Sequence, residues 1–483
     1  MKSFVMRGAA AMGLAVALLV AGCGGGGDSP GACVSGSPGV CAGSQSSSPP
    51  PPDNSQRYAG ICTPDGVKNF TRTYMNEAYL WYREIPVVDP AQYSNIGNYF
   101  HALLTPALDP NGQRKDRFSF IVTAADATSL LTGAATTYGV QWEPDAQGRQ
   151  RAAFVEAGSP AQVAGLARGA ELVQVTTPGT PDWFPNGPAQ ISFVYRSAPG
   201  QATASATLTS ATLQEDPLPL VSNLVSTAGH KVAYLLFNAH TQGAQDKLIA
   251  AISSLPQAGV GDVVLDIRYN RGGFLYTALS TASMLTGPQA NGKVFERLQY
   301  NDKRQADTDA SVIDFSGVVE LGETTYAAGT PLPRLGLPRV FMLTTGNTCS
   351  ASESIINSLR GVGVEVILVG STTCGKPYGF SRKDNCGLSY FPIEFQGVND
   401  QGFGDYAAGF TPTCAAADDF DHALGDASEG MLSTALKFVD TGSCPQPVAR
   451  AQAAAKAQMS PVPPDFGGSR WRQPGKVILT PRP

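Results

Sequence analysis

Residues 341–376 read FMLTTGNTCSASESIINSLRGVGVEVILVGSTTCGK, and the alternation inside this stretch decides the fold. The run 340–345 is apolar and partly β-branched, and it stops at Gly346-Asn347, a turn signal. Ala351, Ile355, Ile356 and Leu359 then recur on one helical face. A second apolar run, 364–369, leads to Gly370 and on to Gly375-Lys376. The pattern predicts strand, helix, strand, with Ser350 at the first strand-to-helix junction and Lys376 in the turn after the second strand. A hydroxyl and an amine in those places make a nucleophile and its base, provided the fold brings the two turns together.

Further residues fit the same chemistry. An ordinary lysine is protonated at neutral pH, so a basic Lys376 needs an apolar, partly closed pocket, which Cys374, Tyr378 and Phe380 would border. The helix that follows Ser350 offers unpaired N–H groups to developing negative charge. The phrase LDIRYNRGG, residues 265–273, closes a strand predicted over 262–269 with Gly272 and Gly273, where a substrate can approach the backbone. An amide of either glycine, together with that of Ala351, is a candidate oxyanion hole. Asn270 is read as shaping this turn, and Asp266 with Arg268 as structural ion-pair partners.

Strand candidates at 231–237 and 389–395, with helices at 244–255, 274–285 and 429–439, extend the α/β pattern over a core domain assigned to residues 216–444. Short strand candidates at 152–155, 171–175, 191–195 and 203–208 make residues 131–215 a separate β-rich domain. Residues 61–130 read as a helical segment in which Phe70, Tyr74, Ala78 and Trp81 share one face. The chain is thus a multidomain α/β protein of 483 residues.

The ends read differently. Residues 1–22 carry two positive charges, an apolar run too short to span a membrane, and small residues, which is a signal peptide. Residues 23–60, with GGGG and SSSPPPP, form a flexible tether. Residues 445–483 read as a low-order tail whose WRQPGKVILTP segment can dock as an extended strand. A net charge of −5 with scattered basic residues excludes a nucleic-acid footprint. Beyond Cys23 stand Cys33, Cys41, Cys62, Cys349, Cys374, Cys386, Cys414 and Cys444, an even number that suits disulfides of unassigned pairing in an exported chain. No Cys/His spacing forms a metal motif, and no metal or other cofactor is expected.

Three resemblances sharpen this reading. Leu19-Val20-Ala21-Gly22-Cys23 resembles a bacterial lipobox, which implies lipidation at Cys23 and a membrane-anchored envelope protein, with the outer membrane as default because Gly24 follows. EAGSPAQVAGLARGAELVQV, residues 156–175, resembles the PDZ signature, and Tyr138-Gly139-Val140 resembles that family's carboxylate-binding loop. The phrase 265–273, Ser350-Ala351-Ser352-Glu353 and Gly375-Lys376 together resemble the S41, or carboxyl-terminal-processing, serine peptidases over roughly residues 66–439. That resemblance implies a ClpP/crotonase-like core and an endopeptidase acting through an acyl-enzyme on exported or envelope polypeptides. It implies Ser350 as nucleophile, Lys376 as base, and PDZ-assisted recognition of polypeptide ends.

Ser352 and Glu353 then support the helix start. The chain departs from the family at Arg271, where proline is usual, and at Phe380, where many members carry a glutamine that orients the lysine. A disulfide at Cys349 or Cys374 would brace the pocket. A related branch uses a histidine base, and His101 and His240 lack a distinctive phrase for that role. His422 with Asp418, Asp419 or Asp421 is either a divalent-ion cluster or a solvated acidic loop. The alternative function is a catalytically silent PDZ-containing peptide-binding lipoprotein. Oligomeric state is open.

Overall fold

A computed structural model describes residues 54–109 and 112–445, and the backbone of 476–477. The signal peptide, Cys23, Cys33, Cys41 and most of the tail lie outside the described residues.

The core is a six-stranded sheet in the order Cys414–Ala415, Glu365–Gly370, Arg339–Thr344, Asp262–Asp266, Lys231–Leu236, Leu220–Val225. All neighbours run parallel except the edge strand Leu220–Val225. Parallel strands need both faces covered, which is why these runs are continuously apolar. The period-two alternation divides their side chains between two layers. Ala233, Leu235, Val263, Leu265, Val340, Met342 and Leu368 pack with residues of the helices Ala244–Ala258, Leu275–Leu285 and Ala351–Gly361. Val232, Tyr234, Val264, Phe341, Leu343 and Ile367 pack with Met431, Leu432, Ala435 and Leu436 of the helix Gly430–Thr441. The mixed α/β class expected from sequence is the observed one.

The middle domain is an antiparallel sheet of five strands in chain order, Val140–Pro144, Gln150–Val155, Glu171–Val175, Gln190–Arg196 and Thr203–Thr209. Trp142, Leu166, Ile191, Phe193 and Leu208 fill its interior. A ribbon of Ala134–Thr137 against Ala211–Gln214 carries the chain in and out.

The N-terminal segment is helical, as expected. Its helix Pro64–Ala78 is capped by the Thr63 hydroxyl, which accepts from the Gly66 amide, and has proline at its first position. The helix stops before Trp81, so that residue leaves the predicted helix face and stands edge-on to Tyr378 with ring centroids 4.9 Å apart. The stop has a tertiary cause: the Leu80 amide donates to the Ile393 carbonyl at 2.8 Å. Downstream, Phe120–Thr123 pairs antiparallel with Leu388–Phe391 of the core domain. The strand foreseen over 262–269 ends at Asp266, because Arg268 turns inward to buried carboxylates. In the tail, Lys476–Val477 pairs in parallel with Gly379–Phe380.

Three disulfides join Cys62 to Cys386, Cys349 to Cys374, and Cys414 to Cys444. The first spans 324 residues and ties the N-terminal segment to the core domain. Replacing Cys62 and Cys386 together by serine is expected to lower the unfolding free energy by about 2–5 kcal/mol, because the unfolded chain regains the freedom that the cross-link removes. Urea denaturation of the oxidised protein measures it, and an unchanged midpoint would refute it.

Candidate active site

Ser350 is held by the loop that leaves the strand Arg339–Thr344. The Thr348 hydroxyl donates to the Ile267 carbonyl at 2.9 Å, and the Cys349 amide to the Asn270 carbonyl at 3.0 Å. These bonds pin the loop against the phrase 265–273. Ser350 itself has φ 61° and ψ −113°, a positive-φ conformation that costs a non-glycine residue about 1–3 kcal/mol. Side chains placed on such a turn are over-determined by their surroundings, and functional sites are where such strain collects. The helix Ala351–Gly361 begins at the next residue.

Glu353 joins this turn to that of Lys376. Its Oε2 accepts from the Ser350 amide at 2.9 Å and the Lys376 amide at 2.8 Å. Its Oε1 accepts from the Gly375 amide at 2.9 Å and the Thr373 hydroxyl at 2.6 Å. The carboxyl is fully buried: desolvation raises its pKa, and the four donors pull it back. A second link runs beside it, since Cys349 and Cys374 are bonded with their Cα atoms 5.2 Å apart.

Lys376 is 1% exposed. Its Nζ lies 4.4 Å from the centroid of Phe380 and 5.0 Å from that of Phe118. Phe380, read from sequence as a departure, therefore puts an aromatic face where an amide side chain was expected. Phe118 escaped the sequence reading because it reaches the amine from the N-terminal segment. Its only local signal is the phrase KDRFSF, residues 115–120.

Asn270 shapes its turn with both ends of its amide. Its Nδ2 donates to the Phe237 carbonyl at 2.9 Å, while its Oδ1 accepts from the Gly272 amide at 2.9 Å and contacts His240 Nδ1 at 2.9 Å. The two oxyanion candidates thus separate. The Gly272 N–H is spent on Asn270, whereas no hydrogen bond of the Gly273 N–H occurs among the described residues. Gly272 has another constraint, because a Cβ there would stand 2.9 Å from the Ala351 amide nitrogen and 3.0 Å from Ser350 Cβ. Its φ of 96° also favours glycine. Ser352, the other serine of the phrase, donates from its hydroxyl to the Asn270 carbonyl at 3.1 Å, tying the helix start to the glycine turn.

A cavity of about 270 Å³ opens beside these turns. Gly272, Gly273, Arg271, His240 and Phe380 line it from the core, and Gly139 and Val140 from the middle domain. The predicted oxyanion and peptide-binding glycines thus face one space. Tyr138 lies outside its lining and is buried in the middle domain. Ser350 and Ala351 are fully buried as well.

The middle domain is fastened to the core nearby. Arg168 donates to Tyr269 Oη at 2.7 Å and Asp418 Oδ1 at 2.6 Å, and Asp418 in turn takes Arg268 at 2.8 Å. Arg268, wholly buried, also pairs with Asp266 and Glu429 at 2.8 Å each. The expected Asp266–Arg268 pair is present, but it belongs to this larger network. The acidic loop is likewise arginine-bound: Asp421 faces Arg151 at 2.9 Å, and His422 meets Asp419 at 2.7 Å. Cys349, Glu353 and Cys374 also lie close enough to suggest metal ligands, but both sulfurs are consumed by their disulfide. His101 sits on the helix Ile96–Ala102 of the N-terminal segment.

Parts of the chain are similar to known proteins. Residues 231–384 match the Peptidase family S41 model, and residues 66–120 match that of the Peptidase S41 N-terminal domain. A carboxyl-terminal-processing protease of a Picosynechococcus species is 28% identical over 158 residues, covering 33% of this chain and 32% of that protein. The chain therefore aligns with only about a third of this curated relative. A solved structure described as an S41 protease from Bacteroides fragilis has a TM-score of 0.59 at 23% identity, covering 77% of this chain and 97% of that one. Likeness at that identity establishes the fold.

Two outcomes test the site. Glu353→Gln keeps the shape but exchanges one acceptor oxygen for a donor that faces amide hydrogens, so unfolding should become easier by about 2–3 kcal/mol. A variant as stable to urea as the native chain would remove Glu353 from its joining role. Burial lowers the His240 pKa from 6.5 to about 3, so the unfolded chain takes up a proton that the folded one refuses. The His240 contribution to stability is therefore complete above pH 6.5 and lost progressively as pH falls toward about 3. Between pH 7 and pH 5, His240→Gln should lose less stability than the native chain, and equal losses in parallel denaturation curves would contradict this.

Proposed function

We propose, from the match of residues 231–384 and 66–120 to peptidase S41 family models, a serine endopeptidase that cleaves exported or envelope polypeptides. In this reading Lys376 Nζ takes the Ser350 proton as Oγ attacks the scissile carbonyl. The charge on the tetrahedral oxygen falls to the amides of Ala351 and Gly273. The ammonium then protonates the leaving amine, and water releases the acyl-enzyme in a second pass. The observation that carries the reading is the single carboxylate of Glu353, which receives the amides of Ser350 and Lys376 on one oxygen. The burial of Lys376, 1% exposed, is the other support.

The middle domain acts as a PDZ-like reader that delivers a polypeptide end to the shared cavity, with Tyr138, Gly139 and Val140 at its loop. Because Ser350 is fully buried, access follows a movement of that domain or of the loops around it. The chain is exported and lipidated on Cys23, and residues 23–60 space the enzyme from the membrane. No helix among the described residues is long and apolar enough to cross a membrane.

A peptide-binding protein without turnover is the second reading, favoured by Phe380 beside the amine. One experiment separates them. Unfolded polypeptides are incubated with the native soluble chain, Ser350→Ala and Lys376→Ala, and acylation of Ser350 by a serine-reactive probe is followed by mass spectrometry. Each substitution should reduce cleavage at least about a thousandfold. Equal cleavage by all three proteins would defeat the dyad, and peptide binding with neither cleavage nor acylation would establish the silent reading.

A further inference from the structure

The cavity contains more acceptors than the proposed reaction uses. Glu156, which follows the strand Gln150–Val155, and Glu215, which follows Ala211–Gln214, both line it and are partly buried. Among the described residues, neither carboxylate has an arginine, lysine or histidine within salt-bridge distance, although many other carboxylates are paired that way. Three further side chains that line the cavity, all more than nine-tenths buried, present atoms with no hydrogen-bond partner among the described residues: Asn238 Oδ1, His240 Nε2 and Thr241 Oγ1.

The polarity of His240 follows from its neighbour. Asn270 donates through Nδ2 to Phe237, so the oxygen facing His240 is an acceptor, and Nδ1 must supply the hydrogen. The imidazole is neutral, and Nε2 therefore offers a lone pair to the cavity. The lining thus combines two carboxyl groups, an imidazole lone pair and a carbonyl oxygen. Around them stand Phe120, Leu131, Val140, Phe154 and Leu213. An apolar lining that also carries several acceptors fits a long alkyl stem with a cationic, donor-rich tip.

We propose that Glu156 and Glu215 form a specificity subsite for a lysine or arginine side chain of the polypeptide substrate, next to the scissile bond. The proposal rests on the peptidase reading for its substrate, and on the cavity for its chemistry. Gly272 and Gly273 line the same space, which sets the subsite beside the carbonyl to be attacked. Arg271 lines it too, but its guanidinium is engaged by the Asn347 side chain and lies 3.7 Å from Glu143.

Burial and mutual repulsion disfavour negative charge on these two groups. Burial, then the neighbouring Glu215 and Asp216, push Glu156 up to about 8, and burial with Asp216 pushes Glu215 up to about 7. The other titratable groups facing the cavity are Tyr269, Arg271 and the neutral His240. A bound cation favours the ionised carboxylates, so discrimination for basic side chains should strengthen as pH rises from 6 to 9.

The test uses Ser350→Ala, so that binding is read without turnover. Fluorescent peptides that differ only in lysine, arginine, norleucine or glutamine at one position are titrated by anisotropy, with the position scanned along the peptide. At one position lysine and arginine should bind at least tenfold more tightly than norleucine. Glu156→Gln with Glu215→Gln should reduce that ratio below twofold, and each single substitution should reduce it partway, with the fold of each variant checked by circular dichroism. Equal affinities, or a preference that survives the double substitution, would overturn the subsite. So would spermidine that displaces lysine and norleucine peptides alike while no side-chain preference exists, since the site would then bind free polyamines. Cleavage by the native chain without basic preference would sink the subsite and spare the peptidase. Preference in binding with no cleavage would do the reverse.

Discussion

The Glu353 carboxylate is fully buried, and its two oxygens receive backbone amides from both ends of the candidate site. A carboxylate in such a place is costly unless every lone pair finds a donor, and here four donors converge on it. This requirement fixes the Ser350 turn and the Lys376 turn at one separation. The Cys349–Cys374 bond then makes the same connection covalently. Everything else about the site is arranged on that joint. The strained backbone of Ser350 persists because the amide on its own residue is one of the four donors.

The joint is surrounded by contacts that come from far along the chain. Phe118 arrives from the N-terminal segment to face the amine, and Asn270 steers the glycine turn while orienting His240. Arg268 draws Asp266, Asp418 and Glu429 into one buried network, and Arg168 extends it to the middle domain. Buried ion pairs of this kind contribute little net stability compared with apolar packing, but breaking one leaves an uncompensated charge. The network therefore acts as a positional constraint. It keeps Tyr269, and with it the turn carrying Gly272 and Gly273, in one place relative to the domain that shares the cavity.

Much of this was legible because it is local. Apolar runs of six residues flanked by turn signals gave the parallel strands, and the recurrence of Ile355, Ile356 and Leu359 gave the helix behind Ser350. Gly272 could be singled out because a glycine pair after a strand announces close backbone approach. What failed was equally physical. Trp81 continued a helical period in sequence, yet the backbone at Leu80 found a partner in Ile393 and the helix ended. Arg268 looked like part of a strand, and buried acids from residues 418 and 429 pulled it inward. Glu353 was visible only as support for a helix start, because its other donors lie some twenty residues downstream.

The sequence by itself determined the α/β alternation and which hydroxyl, amine and glycines stand in the loops that follow its strands. Those features depend on side-chain periodicity and backbone sterics, which act over a few neighbouring residues. The tertiary structure alone decided that the turns share a carboxylate and a disulfide, that Gly272 spends its amide internally, and that Glu156, Glu215 and His240 face one cavity. These are matters of burial and of pairing across long loops. A group's partners there are set by which surfaces the folded chain removes from water, and no local pattern encodes that.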